Sequence, residues 1–157
     1  MARKPTAVIR DTLEEYATRG VLRGFTHRET PDGRTEFLFG WVQRRPFRVV
    51  YDDETRTLRV DRFLPAVPAG SALHADLERF VASRASGTLP PHRAVDPKRA
   101  RLELSSQDDE VSLSLAILRN QYRYGVRRLL NVVSEIFVLL NASHQEYMWE
   151  QFEVPME

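Results

Sequence analysis

The chain has 157 residues, enough for one domain with a real core, and its 42% hydrophobic and 29% charged residues are ordinary for a globular protein. A formal net charge of +1 gives no bulk attraction toward nucleic acid or an anionic membrane. With no cysteine, disulfides, thiol nucleophiles, iron–sulfur clusters and cysteine-ligated zinc are excluded, which fits a reducing compartment.

Residues 1–5 read as a flexible basic tail without the apolar segment of a signal peptide. Thr6 is placed to cap a first helix whose inner face is Ile9, Leu13, Tyr16 and Ala17, and Arg19-Gly20 supplies its end. Strand patterns follow at 21–29, 35–42, 47–51 and 56–63. The turns between them are Thr30-Pro31-Asp32-Gly33, then 43–46, then 52–55, so the four strands form an antiparallel meander. Residues 64–70 form a loop, since proline bars continuation of a strand. Ser71 caps a second helix with Leu73, Leu77, Phe80 and Val81 on one face. Residues 86–98, with Pro90, Pro91 and Pro97, make a long loop of the kind that is often mobile or functional.

A hairpin at 101–105 and 110–118 turns around Ser106-Gln107-Asp108-Asp109. The longest helix covers 121–142, with Tyr122, Val126, Leu129, Leu130, Val133, Ile136, Phe137 and Leu140 on one stripe. Val132, Val138 and Leu139 lie outside that stripe and are expected to form a homodimer interface. The period runs on through His144, Tyr147, Met148 and Phe152, so the helix is expected to continue or its tail to dock on the fold. The apolar run 136–140 is far short of the roughly 20 residues that span a bilayer, so no membrane association and a cytoplasmic location are expected.

The order α-β-β-β-β-α-β-β-α predicts an α+β fold, a single two-layer domain over residues 1–157 with one antiparallel sheet. The hairpin L-E-L-S-S-Q-D-D-E-V-S-L-S-L-A-I-L followed by the helix V-R-R-L-L-N-V-V-S-E-I-F-V-L-L-N resembles, in topology, the YbjN-like bacterial proteins and the type III secretion chaperones. The meander is one strand longer than the three of the secretion chaperones. The resemblance implies a dimerising, protein-binding domain without catalysis.

Basic residues are almost all arginine, with lysine only at Lys4 and Lys98. That fits a GC-rich codon bias, or recognition of carboxylate and phosphate by planar guanidinium forks. Short turn geometry predicts Phe25 opposite Phe39, His27 opposite Phe37, Arg23 opposite Trp41, Trp41 opposite Arg48, and Arg48 opposite Arg59. One sheet face then carries Phe37, Phe39 and Trp41 together with Arg48 and Arg59, and is read as a partner- or anion-binding surface or as core with its arginines at the rim. Opposed Arg48 and Arg59 would require compensation by Asp61 or Glu36, a bound anion, or an acidic partner. In the hairpin, Leu102, Leu104, Val111, Leu113, Leu115 and Ile117 point to one side, and Arg101, Glu103, Ser112 and Ser114 to the other.

His27, His74, His92 and His144 have no metal-ligand spacing, so no metal is expected. Asp52-Asp53-Glu54 and Asp108-Asp109-Glu110 sit at hairpin tips and read as solvated turns. No phosphate-binding glycine loop and no nucleophile elbow is present. Arg123, Arg127 and Arg128 form a basic patch at the start of the last helix, readable as salt-bridged surface or as a phosphate site. The expected function is therefore a non-enzymatic protein-binding domain of chaperone-like or regulatory type, a homodimer without cofactor. The alternative is a small-ligand or anion-binding domain using the arginine-rich face.

Overall fold

The computed structural model describes residues 4–41 and 45–155. Along them run α1 (Pro5–Thr18), β1 (Arg23–Glu29), β2 (Thr35–Gly40), β3 (Phe47–Asp52), β4 (Thr57–Leu64), α2 (Ala72–Ser83), β5 (Ala100–Gln107), β6 (Glu110–Ile117), α3 (Tyr122–Ser143) and α4 (Gln145–Phe152). This is the expected α+β fold and strand order with one helix added. The six strands form one antiparallel sheet in the order β1-β2-β3-β4-β6-β5.

Local chemistry accounts for most element ends. Pro5 starts α1, since its missing N–H costs nothing in a first turn, and Thr6 lies inside the helix rather than capping it. The Ser71 hydroxyl accepts the His74 N–H at 3.2 Å and caps α2 as expected. Gly33 closes the β1–β2 turn at φ 86°, a conformation that suits glycine. The last apolar pattern is not one helix. His144 adopts φ −137° and ψ 54°, which ends α3, and α4 folds back on it. Phe152 then meets Phe137 edge-on at 5.5 Å, and the Tyr147 hydroxyl donates to the Pro65 carbonyl at 2.6 Å.

One face of the sheet carries the core. Phe37, Val49, Val60, Leu113 and Leu104 follow one another in register across five strands, and Tyr51, Leu58, Leu115 and Leu102 form the next row. Ile9 and Leu13 of α1, Leu77 and Val81 of α2, and the stripe of α3 close over them as one buried cluster. Burying each such side chain contributes roughly 1.5–3 kcal/mol before the ordering entropy is subtracted. None of the described helices covers the opposite face.

Two turns and a bulge shift the expected pairing. The β3–β4 connection uses four residues, with Arg56 at φ 54°, so Val49 faces Val60 and Arg59 faces Val50, not Arg48. Between β2 and β3 the register puts Phe39 opposite Phe47 and Leu38 opposite Arg48, so Trp41 is not opposite Arg48. The expected tip at 44–45 and the strand end at Val42 include residues outside those described. Gly24, at φ 60°, sits in a bulge that sets Arg23 against Gly40 instead of Trp41, while His27 faces Phe37 as expected.

Candidate functional site: the helix-free face of the sheet

A two-residue period with one buried face puts every second side chain on the uncovered side. Arg28, Glu36, Val50, Arg59, Ser114 and Glu103 follow one another in register there, a single row across all six strands. Ion pairs link this row to its neighbour. Glu36 accepts from Arg28 Nε at 2.9 Å through Oε1 and from Arg48 Nε at 2.5 Å through Oε2. Arg48 Nη1 donates to Asp61 Oδ2 at 2.7 Å, and Arg59 Nε to Asp61 Oδ1 at 3.2 Å. Arg59 Nη2 ends the chain on the Ser112 hydroxyl at 3.1 Å.

Glu36 is only 3% exposed, yet the atoms over it are guanidinium groups and not apolar core. The Arg48 hydrogen bond, with that of Arg28, holds its carboxyl below the usual carboxylate range despite the burial that opposes ionisation. The arginines are far more open: side-chain exposure is 71% at Arg28 and 41% at Arg48. Acids at the base thus fix guanidinium forks at the surface.

A bulge in β4 widens the site. Its register shifts between Val60 and Leu64, Arg62 takes φ 48°, and the Arg62 N–H donates to the buried Ser112 hydroxyl at 2.8 Å. Asp61 and Arg62 can then both line the open face, while Phe63 turns inward to Phe137 at 6.2 Å. The concavity so formed measures about 750 Å³. Five arginines (Arg28, Arg34, Arg48, Arg59, Arg62) and four acids (Asp32, Glu36, Asp52, Asp61) line it, so it is nearly neutral.

The expected site is therefore divided. Arg48 and Arg59 lie on the open face and share Asp61. Phe37 and Phe39 are core residues, at 0% and 2% exposure, and are not available to a partner. Trp41 is partly buried, 5.4 Å from Phe47 and 6.5 Å from Phe39, on the core side and away from Arg48. The three-residue difference between the true β2–β3 register and the expected one moves the aromatics to the other face. The dimer candidates also separate: Val132 is buried in the core, Leu139 is half-buried, and Val138 is exposed.

Arg28, Arg34, Arg62 and Ser112 are parts of the face that the sequence reading did not select. Arg28 was accessible in principle, because the correct His27–Phe37 pairing puts it opposite Glu36. Arg62 had no signal, since its bulge contains no glycine or proline. Among the described residues no group of three or more His, Cys, Asp or Glu is placed to hold a metal ion. His74 pairs with Glu78 and Ser106, and His144 with Asp76. No described helix is long and apolar enough to cross a membrane. Comparison with protein families, curated proteins and solved structures gave no match.

Proposed function

We propose that the chain is a non-enzymatic binding domain that docks a protein partner on the helix-free face of its sheet. The observation that carries this reading is the ladder Arg28–Glu36–Arg48–Asp61–Arg59, in which half-open guanidinium groups are held in place by acids beneath them. Arginine is enriched among binding hot spots, and side chains already ordered lose less entropy when a partner arrives. The near-neutral lining favours a partner surface of mixed charge over a strongly anionic small ligand on this face. The topological resemblance to YbjN-like proteins and secretion chaperones agrees with a protein-binding role by analogy of fold alone. A cytoplasmic location belongs to the same proposal, on the cysteine-free composition.

Arg28→Gln with Arg59→Gln removes two forks while leaving the Glu36–Arg48–Asp61 centre intact. Affinity capture from the native cell should lose specific proteins with this variant and keep them with Arg123→Gln, which lies on another surface. Identical capture by both variants would show that this face is not the docking surface.

Homodimerisation through α3 stays in the proposal on a smaller basis, with Val138 open and Val132 withdrawn into the core. Sedimentation at micromolar concentration should show a dimer that Val138→Glu weakens. A monomer at every accessible concentration removes it.

A further inference from the structure

Away from the sheet face, five arginines collect in a cleft of about 710 Å³ where the end of α1, the start of β5 and the first turns of α3 meet. Arg19, Arg99, Arg123, Arg127 and Arg128 line it, with Tyr16 and Tyr124, and no Asp or Glu is part of its lining. Glu15 reaches in from the side, gripping Arg123 in a two-bond fork at 2.8 and 2.9 Å and lying 3.7 Å from Arg127. Asp11 and Glu14 line the adjoining depression with Glu15. Five arginines against Glu15 and the flanking Asp11 and Glu14, whose depression shares Arg19, Arg123 and Arg127, leave a formal surplus of +2 here, in a chain whose total is +1.

The guanidinium groups are positioned rather than loose. Arg99 and Arg128 stack on the Tyr124 ring at 4.1 and 5.2 Å, and Arg19 lies over Tyr16 at 4.7 Å. Arg128 Nη1 donates to the His92 carbonyl at 2.6 Å, while its Nε is buried with no hydrogen-bond partner. The positive end of α3 opens onto the same place. No acid lies in its first turn and no side chain caps that end, where the Gln121 side chain accepts from Arg99 instead.

Like charges gathered in one cleft repel one another, and an anion that joins them relieves that repulsion. Planar forks match phosphate oxygens two bonds at a time. A carboxylate would neutralise half of the surplus and engage one fork, whereas a phosphate chain can meet several forks, in a volume typical of small-molecule sites. The flanking Asp11, Glu14 and Glu15 would repel a polyanion that extended past the cleft, which disfavours nucleic acid. We propose that this cleft binds a small ligand carrying a diphosphate or longer phosphate chain.

Inorganic triphosphate is the direct probe, with inorganic phosphate, acetate and a single-stranded oligonucleotide compared at matched ionic strength. Triphosphate should raise the melting temperature saturably, bind one per chain, and bind at least tenfold more tightly than phosphate. Arg127 is an exposed residue, so Arg127→Gln should fold normally and weaken triphosphate at least tenfold, as should Arg99→Gln. Arg127→Lys should recover part of the loss, and Arg59→Gln on the sheet should change nothing. The proposal falls if triphosphate stabilises no more than acetate, if both cleft variants bind it as well as the wild type, or if the oligonucleotide binds more tightly than triphosphate. These outcomes are independent of partner docking on the sheet face.

Discussion

Glu36 is a carboxylate under two guanidinium groups, and its neighbours differ in what they contribute. Arg48 holds both Glu36 and Asp61, so Arg48→Ala leaves a covered acid short of a donor and is expected to cost about 1–3 kcal/mol in a urea melt. Arg28 is largely solvated, and Arg28→Ala should cost less than about 1 kcal/mol. Arg48→Glu, which the expected register would have made harmless by pairing it with Arg59, should instead destabilise the protein by adding a third acid between Glu36 and Asp61. The Glu36 carboxyl is held below its usual value of 4.5, so its stabilising effect is complete above that pH and is lost as pH falls through its lower folded value. Glu36→Gln should therefore be less stable than the wild type at pH 7, and the gap should narrow below about pH 4.5. A pH-independent difference would show that ionisation of Glu36 does not support the fold.

At the scale of elements, α3 approaches β6 so closely that only a glycine fits at position 125. A Cβ there would stand 2.9 Å from Ile117 Cγ1 and 3.1 Å from Leu115 Cδ2, both on side chains fixed in the core. Gly125→Val is expected to lose about 1–3 kcal/mol through overpacking, more than the helix propensity it gains. Equal or higher stability in a thermal melt would mean that the helix shifts freely on the sheet. The junction after α3 is a second such point. There His144 Nε2 meets Asp76 of α2 at 2.6 Å, and this bond holds the Asp76 carboxyl below its usual range.

Across the whole molecule the long loop is a packed segment rather than a free one. Val95 is buried, Arg93 meets Glu135 of α3 at 3.4 Å, and Arg128 holds the His92 carbonyl. Arg84, itself buried and stacked on Phe80, pairs with the same Glu135. Glu135→Ala removes the acid shared by both arginines and should cost about 1–3 kcal/mol, since a buried guanidinium loses its partner. Hydrogen exchange should accelerate across residues 86–98 in that variant before the sheet is affected. Unchanged protection would show that the Glu135 ion pairs do not anchor the loop, leaving it to buried Val95 and the Arg128–His92 bond. Among the described residues the exposed large hydrophobics are Val21, in the loop after α1, Val138 of α3 and Trp149 of α4, so the apolar surplus that α3 shows in isolation is mostly consumed inside the chain.

Periodicity was enough to determine the class, the order of the six strands and first three helices, and most of the inner faces of α1, α2, α3 and the β5–β6 hairpin, because a side chain's direction within one element follows from its spacing alone. The number of residues in the β1–β2 turn was legible, since His27 faces Phe37 as expected, but the lengths of the β2–β3 and β3–β4 connections were not. Arg56 and Arg62 take left-handed conformations that no glycine announces, and the β2–β3 register differs by three residues from the one a tight turn implies. Since a strand's side chains alternate, that odd difference moved Phe37 and Phe39 into the core and left Arg48 and Arg59 outside. The arginine cleft was legible only in its α3 part, at Arg123, Arg127 and Arg128. Arg19 and Arg99 come from segments about 100 and 20 residues away along the chain, and only the packing of α1 on α3 and the bond from Arg99, just before β5, to Gln121 bring them to one place.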